Sequence, residues 1–207
     1  MFNLQDENKY LRKDLYDFTD ALSKLDAEIL YRTILNPILG IKDLTGLEDF
    51  TALENFTFQG NQTAVTSVDL KNNTNLKSIF IADFPSLTTI DIKGLSLLTD
   101  VSLSNLAGVT ALDYSNISTL TKIQISGITN LSTINVTGFS NVTDFSVSNS
   151  SAITSLDLST LTSLNNLVLS NNSQLATLNL KTGATASINY VQLNGNPLLT
   201  CVEVDAG

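Results

Sequence analysis

Aspartates at positions 69, 91 and 113 recur at intervals of 22 residues, and they are the side chains of this chain best spaced to do chemistry together. If that spacing stacks them, the carboxylates lie about 4.8 Å apart, repel one another and could recruit a divalent cation. The column continues as Asn135, Asp157, Asn179 and Glu203, so amides replace acids in it without disturbing the pattern. Lys71 and Lys93 follow two residues behind Asp69 and Asp91. A solvated ladder eased by lysines is therefore expected, with no metal and no cofactor. Other catalytic chemistry has little to start from. The chain has no histidine, which removes the usual general base and the commonest zinc ligand. Cys201 is the only cysteine, so an internal disulfide is impossible. Cys201 directly precedes the apolar Val202, and a buried, inert thiol is expected there. Serines and threonines abound but have no base to activate them. The chain reads as a non-enzyme.

The elements that carry these residues follow a short period. Leu-x-x-Ile-x-Ile recurs about every 11 residues, from Leu53/Phe56/Phe58 through Leu76/Ile79/Ile81 and Leu120/Ile123/Ile125 to Leu199/Val202/Val204, in 14 successive units. Such a period denotes a solenoid, in which each turn buries its apolar residues against its neighbours. The eighth position of most units is Gly, Asn or Asp, the residues that tolerate a left-handed corner. The ninth is an apolar plug (Phe84, Leu95, Leu106, Ile117, Ile128, Phe139, Leu161) or an asparagine (Asn61, Asn73, Asn172, Asn196) able to satisfy backbone groups at the bend. Only the even units carry the acidic column, so the physical coil is 22 residues with two strands per turn. Seven such coils make a rod of roughly 34 Å. The register slips by one residue before Val65 and by two near Thr182–Ser187, where a small bulge is expected. The predicted fold is a leucine-rich-repeat solenoid, mainly β, over 41–207.

Residues 1–40 differ in texture. Leu11, Leu15, Phe18, Leu22, Leu25, Ile29 and Leu30 recur at intervals suited to an amphipathic helix, ending near Asn36-Pro37. An N-terminal helical cap or docking segment is predicted, covering an otherwise open end of the core.

The formal charge is −9, from 20 acids and 11 bases, and Lys9, Arg12, Lys13, Lys24, Arg32 and Lys42 hold six of those bases. An acidic solenoid repels phosphate backbones, so no nucleic-acid partner is expected. No apolar run is long enough to span a bilayer, and the start MFNLQDENKYLRKDLYD is polar where a secretion signal would be apolar. A cytoplasmic or particle-associated location is expected if Met1 is the native start, and an extracellular or cell-surface one if it is not.

Three phrases narrow the class. Leu44–Gln62 (LTGLEDFTALENFTFQGNQ), Val65–Leu76 (VTSVDLKNNTNL) and Gly195–Asp205 (GNPLLTCVEVD) resemble the opening, repeat and closing segments of internalin-like leucine-rich-repeat proteins of the type secreted by Bacteroidota. The resemblance spans Ile41 to Asp205. It implies a secreted or surface interaction module whose odd units form a concave sheet. Members of that group often carry a calcium-loop-like segment near the start. The comparable stretch here, Tyr16 to Ser23, lacks the required glycine and most oxygen ligands, so no calcium is expected.

The resulting function is binding or adhesion, with a protein or glycan ligand on the concave strands. The outward residues of the odd units are its candidate contacts: Asn55, Phe80, Asp100, Lys122, Gln124, Asp144, Asn166, Val168, Tyr190 and Gln192, with Ser102 among them. Phe80, Val168 and Tyr190 are the apolar anchors of that set. The alternative is a structural component of a phage or secretion/injection-type particle, docked by its N-terminal segment and displaying the solenoid. The last triad has no helix after it, so an end-to-end or larger-assembly contact is expected at the C-terminal edge.

Overall fold

The computed structural model describes residues 44–61, 63–115 and 117–206. The predicted helical cap and the Tyr16–Ser23 stretch lie outside these residues.

Alternation of inward and outward side chains makes each unit a short strand, and the strands fall into two classes. The odd units give the long ones: β1 (Asn55–Gln59), β3 (Ser78–Ala82), β5 (Asp100–Ser104), β7 (Lys122–Ser126), β9 (Asp144–Ser148), β11 (Asn166–Ser170) and β13 (Tyr190–Gln192). They pair in parallel as one seven-stranded sheet in chain order. The even units give β2 (Ser67–Asp69), β4 (Thr89–Asp91), β6 (Ala111–Asp113), β8 (Thr133–Asn135), β10 (Ser155–Asp157), β12 (Thr177–Leu180) and β14 (Cys201–Val204). These pair only as β2-β4, β6-β8 and β10-β12-β14. One side of the coil is thus a continuous platform and the other an interrupted one.

The core runs between the two sides. Val65, Leu76, Leu87, Leu98, Leu120, Leu131, Phe139, Val142 and Ile153 are wholly inaccessible, whereas the first-position residues nearest the ends, Leu53, Ile188 and Leu199, are half-buried. Phe58 and Phe84 stack with ring centroids 4.1 Å apart. All seven predicted apolar plugs are buried. Most corners behave as the residue types predict: Asp83, Asn105, Asn149 and Asn171 take φ of 53 to 66°, and Gly94, Gly127, Gly138 and Gly195 also have positive φ, whereas Gly60 and Asn72, at the same repeat position, do not. Gly127 shows a second reason for glycine, because a Cβ there would collide with Oδ1 of Asn105.

Buried asparagines replace the plugs at three corners. Nδ2 of Asn172 donates to the Val147 carbonyl at 2.9 Å, and its Oδ1 accepts from the Ser150 amide at 3.0 Å. Nδ2 of Asn196 donates to Leu169 and Leu193. Nδ2 of Asn73 holds the carbonyls of Leu47 and Phe50, tying down the 3-10 turn Leu47–Asp49 that leads into β1. Peptide groups turned inward at a corner must find a partner, and these amides supply one at these three corners, whereas Asn61, the fourth corner asparagine, is exposed.

Two expectations need correction, and a third feature, the open last triad, is as expected. Cys201 is exposed rather than buried. It pairs with Thr177 across β14 and β12, and its neighbour Val202 is the residue aligned with the inward Leu178. Adjacent strand residues point to opposite faces, so the argument from Val202 places Cys201 outward. The extra residues at Thr182–Ser187 form a 3-10 turn, Thr185–Ser187, rather than a strand bulge. The last inward triad is also poorly covered, with Val202 41% and Val204 49% exposed, because no later coil packs on it.

Candidate functional site

The ten predicted contact residues all lie on the seven-stranded side, in two parallel rows. Strand register places Asn55, Ser78, Asp100, Lys122, Asp144, Asn166 and Tyr190 side by side in the first row. Thr57, Phe80, Ser102, Gln124, Ser146, Val168 and Gln192 form the second. A third row begins with Gln59 and runs through Ala82, Ser104, Ser126, Ser148 and Ser170, nearly all small. The face is therefore raised along one margin and low along the other.

Large and small side chains alternate in the middle row. Ser102 leaves a notch between Phe80 and Gln124, and the result is a shallow depression of about 140 Å³. Ser78, Phe80, Asp100, Ser102, Lys122 and Gln124 border it. Four of the predicted contacts, Phe80, Asp100, Lys122 and Gln124, thus meet at one place. The others do not join them. Asn55 lies at the β1 edge, where its Oδ1 accepts from Ser78 Oγ at 2.6 Å. Tyr190 and Gln192 lie on the opposite edge strand and bond to each other, Tyr190 donating to Oε1 of Gln192 at 2.9 Å. On β11, Asn166 is bonded to Asp144 and Val168 is half-buried.

Charge on this face is held in a particular way. Asp100 accepts from the Thr99 hydroxyl at 2.7 Å, and Asp144 from the Thr143 hydroxyl at 2.7 Å. Asp144 also accepts from Nδ2 of Asn166 at 2.8 Å. Lys122 lies between the two aspartates in register, yet the ion pairs among the described residues are Lys71–Asp69, Lys77–Glu54 and Lys181–Glu203. Its ammonium makes none of them.

The aspartate column has a structural role that sequence reasoning missed. Oδ1 of Asp69 accepts from the Lys71 amide at 3.1 Å, that of Asp113 from the Ser115 amide at 3.0 Å and that of Asp157 from the Ser159 amide at 3.0 Å. Each closes the turn at the end of a short strand. Asn135 and Asn179 accept in the same way and also donate through Nδ2 to Asp113 and Asp157, both at 3.1 Å. From Asp113 to Asn179 acid and amide alternate and a hydrogen bond replaces like-charge repulsion, whereas Asp69 and Asp91 are direct neighbours with no amide between them. The Lys71 ammonium holds the Asp69 carboxyl below the usual aspartate range, and the Ser159 hydroxyl and amide do the same for Asp157. The recurring Asx-x-(Lys/Ser/Thr) spacing was the signal that could have revealed these caps. No group of three or more metal-type ligands occurs among the described residues.

Threonines at the second position have an equally local use. The Thr121 hydroxyl donates to the Thr99 carbonyl one coil earlier, at 3.2 Å, while Thr99 and Thr143 spend their single hydroxyl proton on Asp100 and Asp144. Thr88 and Ser132, on the other side, also donate to a carbonyl one coil earlier.

This two-sided coil, with long parallel strands on one side and short ones on the other, is a leucine-rich-repeat solenoid. The family described as the leucine-rich-repeat domain of the endo-beta-N-acetylglucosaminidase EndoS matches residues 32–127, just under half of the chain. Among solved structures, the functional domain of InlJ from Listeria monocytogenes, described as including a cysteine ladder, is similar at 19% identity and a TM-score of 0.39. That alignment covers 79% of this chain and 51% of the other, so this chain spans about half the length of the protein it matches. No curated protein matches it in sequence.

Proposed function

We propose that this solenoid is an interaction module whose protein or glycan partner lies on the seven-stranded face. The observation that carries the reading is the convergence of Phe80, Asp100, Lys122 and Gln124 on one depression in the continuous sheet. On the opposite side the acids and amides of the fifth position, from Asp69 to Asn179, are committed to turn closure. The depression sets an aromatic ring beside an exposed amide and an ammonium that has no ion-pair partner among the described residues. Apolar contact and hydrogen bonding are offered together, the usual makeup of an interface anchor. The matched family describes a domain carried by a glycan-cleaving enzyme, which keeps glycan ligands within the reading. A location outside the cell belongs to the same proposal, on the resemblance of Leu44–Gln62 and Gly195–Asp205 to segments of secreted repeat proteins.

The test is binding of the 207-residue chain to arrayed extracellular proteins and glycans. Phe80→Ala with Gln124→Ala should abolish the signal that the unaltered chain gives. Thr133→Ala, on the short-strand side, should leave it intact. A signal indifferent to the first pair would sink the proposal.

A further inference from the structure

The three rows of the seven-stranded face define a groove with a charge code along one bank. Asp100, Lys122 and Asp144 are direct neighbours on β5, β7 and β9, giving a negative–positive–negative row. Adjacent strands lie about 4.8 Å apart, which sets the step of that row. The three charges are not spent on one another: each carboxylate is engaged by its own threonine, that of Asp144 also by Asn166, and Lys122 has no ion-pair partner among the described residues. Next to the row lies the depression at Ser102, and beyond it the low shelf of Ser104, Ser126 and Ser148.

We propose that this groove receives an α-helix of a partner protein, laid along the rod, with basic, acidic and basic residues at i, i+4 and i+7 facing Asp100, Lys122 and Asp144. The inference rests on the interaction reading above and names the partner's chemistry. Dimensions favour a helix. One helical turn advances about 5.4 Å, so its drift against the strands is about 0.6 Å per step and about 1.2 Å over the triplet. An extended strand crossing the sheet repeats on one face every 6.8 Å or so and drifts about 4 Å over the same triplet. A polyproline helix repeats about every 9.3 Å and passes over Lys122 with nothing to offer it. The three rows span roughly 13 Å, which accommodates a helix about 10–12 Å across. A residue at i+3 lies about 4.5 Å along the axis from i, over Gln124 on β7 beside the Ser102 notch, where an apolar side chain packs on the aliphatic stem of that glutamine. Opposite charges fix the register, and the apolar residue adds contact area.

The probes are two alanine-rich helical peptides of about 20 residues, long enough to hold helix in isolation. One carries Lys-Glu-Lys at i, i+4 and i+7 with Leu at i+3. The other carries Glu-Lys-Glu with the same Leu. Titration of the labelled 207-residue chain, followed by amide chemical shifts, should move resonances of β3, β5, β7 and β9 with the first peptide. Affinity for it should exceed that for the second by about tenfold, the sum of three exposed pairs turned from attraction to repulsion. The variant D100K/K122D/D144K should reverse the preference, and Ser102→Trp should abolish binding of both without touching a charge. Equal affinities, shifts confined to other strands, or a preference unchanged in the reversed variant would each overturn the proposal. Such a result, with the array signal still dependent on Phe80 and Gln124, would leave the interaction reading standing. An array signal indifferent to those two residues would remove both.

Discussion

Two polar side chains buried in the apolar core act on stability in opposite directions. Tyr114 replaces an aliphatic residue at a sixth position, stacks against Phe139 at 6.3 Å, and is fully buried. Its hydroxyl has no hydrogen-bond partner among the described residues, and burial pushes its pKa far up. An unpartnered buried hydroxyl opposes folding, so Tyr114→Phe is expected to stabilise the chain by about 1 kcal/mol. A urea midpoint that rises at unchanged slope would bear this out, and a fall would show that the hydroxyl has a partner in solution. Asn172 is the opposite case. Its amide serves Val147 and Ser150, so Asn172→Ala leaves two buried backbone groups unpaired and is expected to cost about 3 kcal/mol by the same measurement. Asn172 was legible in the sequence because a corner needs such a residue. Tyr114 was legible only as a member of the apolar pattern.

At the scale of elements, turns and insertions depend on carboxylates. The Asp69, Asp113 and Asp157 carboxyls cap short strands and are held below the ordinary aspartate value of 3.8 by the groups they accept from, Lys71, Ser115 and Ser159 foremost. A lowered native pKa means the charged form is favoured by folding. That stability is present above 3.8 and is lost as pH falls from there through the lower native values. The urea midpoint is therefore expected to stay level from neutral pH to about 5 and to decline below about 4. Asp157→Asn, which keeps the accepting oxygen and removes the titrating group, should make the decline shallower. Asp205 serves the insertion instead. It accepts from the amides of Gly183 at 3.0 Å and Thr185 at 2.8 Å, and from the Thr185 hydroxyl. Those bonds fasten the two-residue insertion to the last coil. Asp205→Ala should raise hydrogen exchange at Gly183 and Thr185 while leaving β5 to β9 unchanged. The insertion was visible as a slip in the repeat. Its 3-10 form and its fastening were not, because Asp205 lies 20 residues away in sequence from Thr185.

The whole molecule, over the described repeats, is a one-dimensional stack in which each coil is supported only by its neighbours. Position along the stack therefore sets the cost of a cavity. Phe145→Ala, in the interior strand β9, should lose about 3–5 kcal/mol, whereas Val202→Ala at the half-open last coil should lose less than about 1 kcal/mol. Thermal melts of the pair would show the contrast. Tyr190, Val191, Val202 and Val204 are all 41 to 50% exposed on the terminal strands. Exposed strand edges of this kind associate readily. The 207-residue chain is accordingly expected to show concentration-dependent association in light scattering, reversed by Val202→Lys with Val204→Lys. A strict monomer at every concentration would contradict it.

Period and residue type alone determined the solenoid, its 22-residue coil and its buried plugs. They also determined the left-handed corners and the face on which Asn55 through Gln192 lie. All of these are local or repeat from one coil to the next, so a single pattern dictates them many times over. Only the tertiary structure decided which of those ten residues come together. Convergence at the Ser102 notch depends on the sizes of side chains 22 residues apart that meet only when coils stack. It also decided that the odd side pairs continuously while the even side breaks into three sheets, and that Cys201 faces outward. Those outcomes rest on register between strands, a relation between distant residues that no local pattern contains.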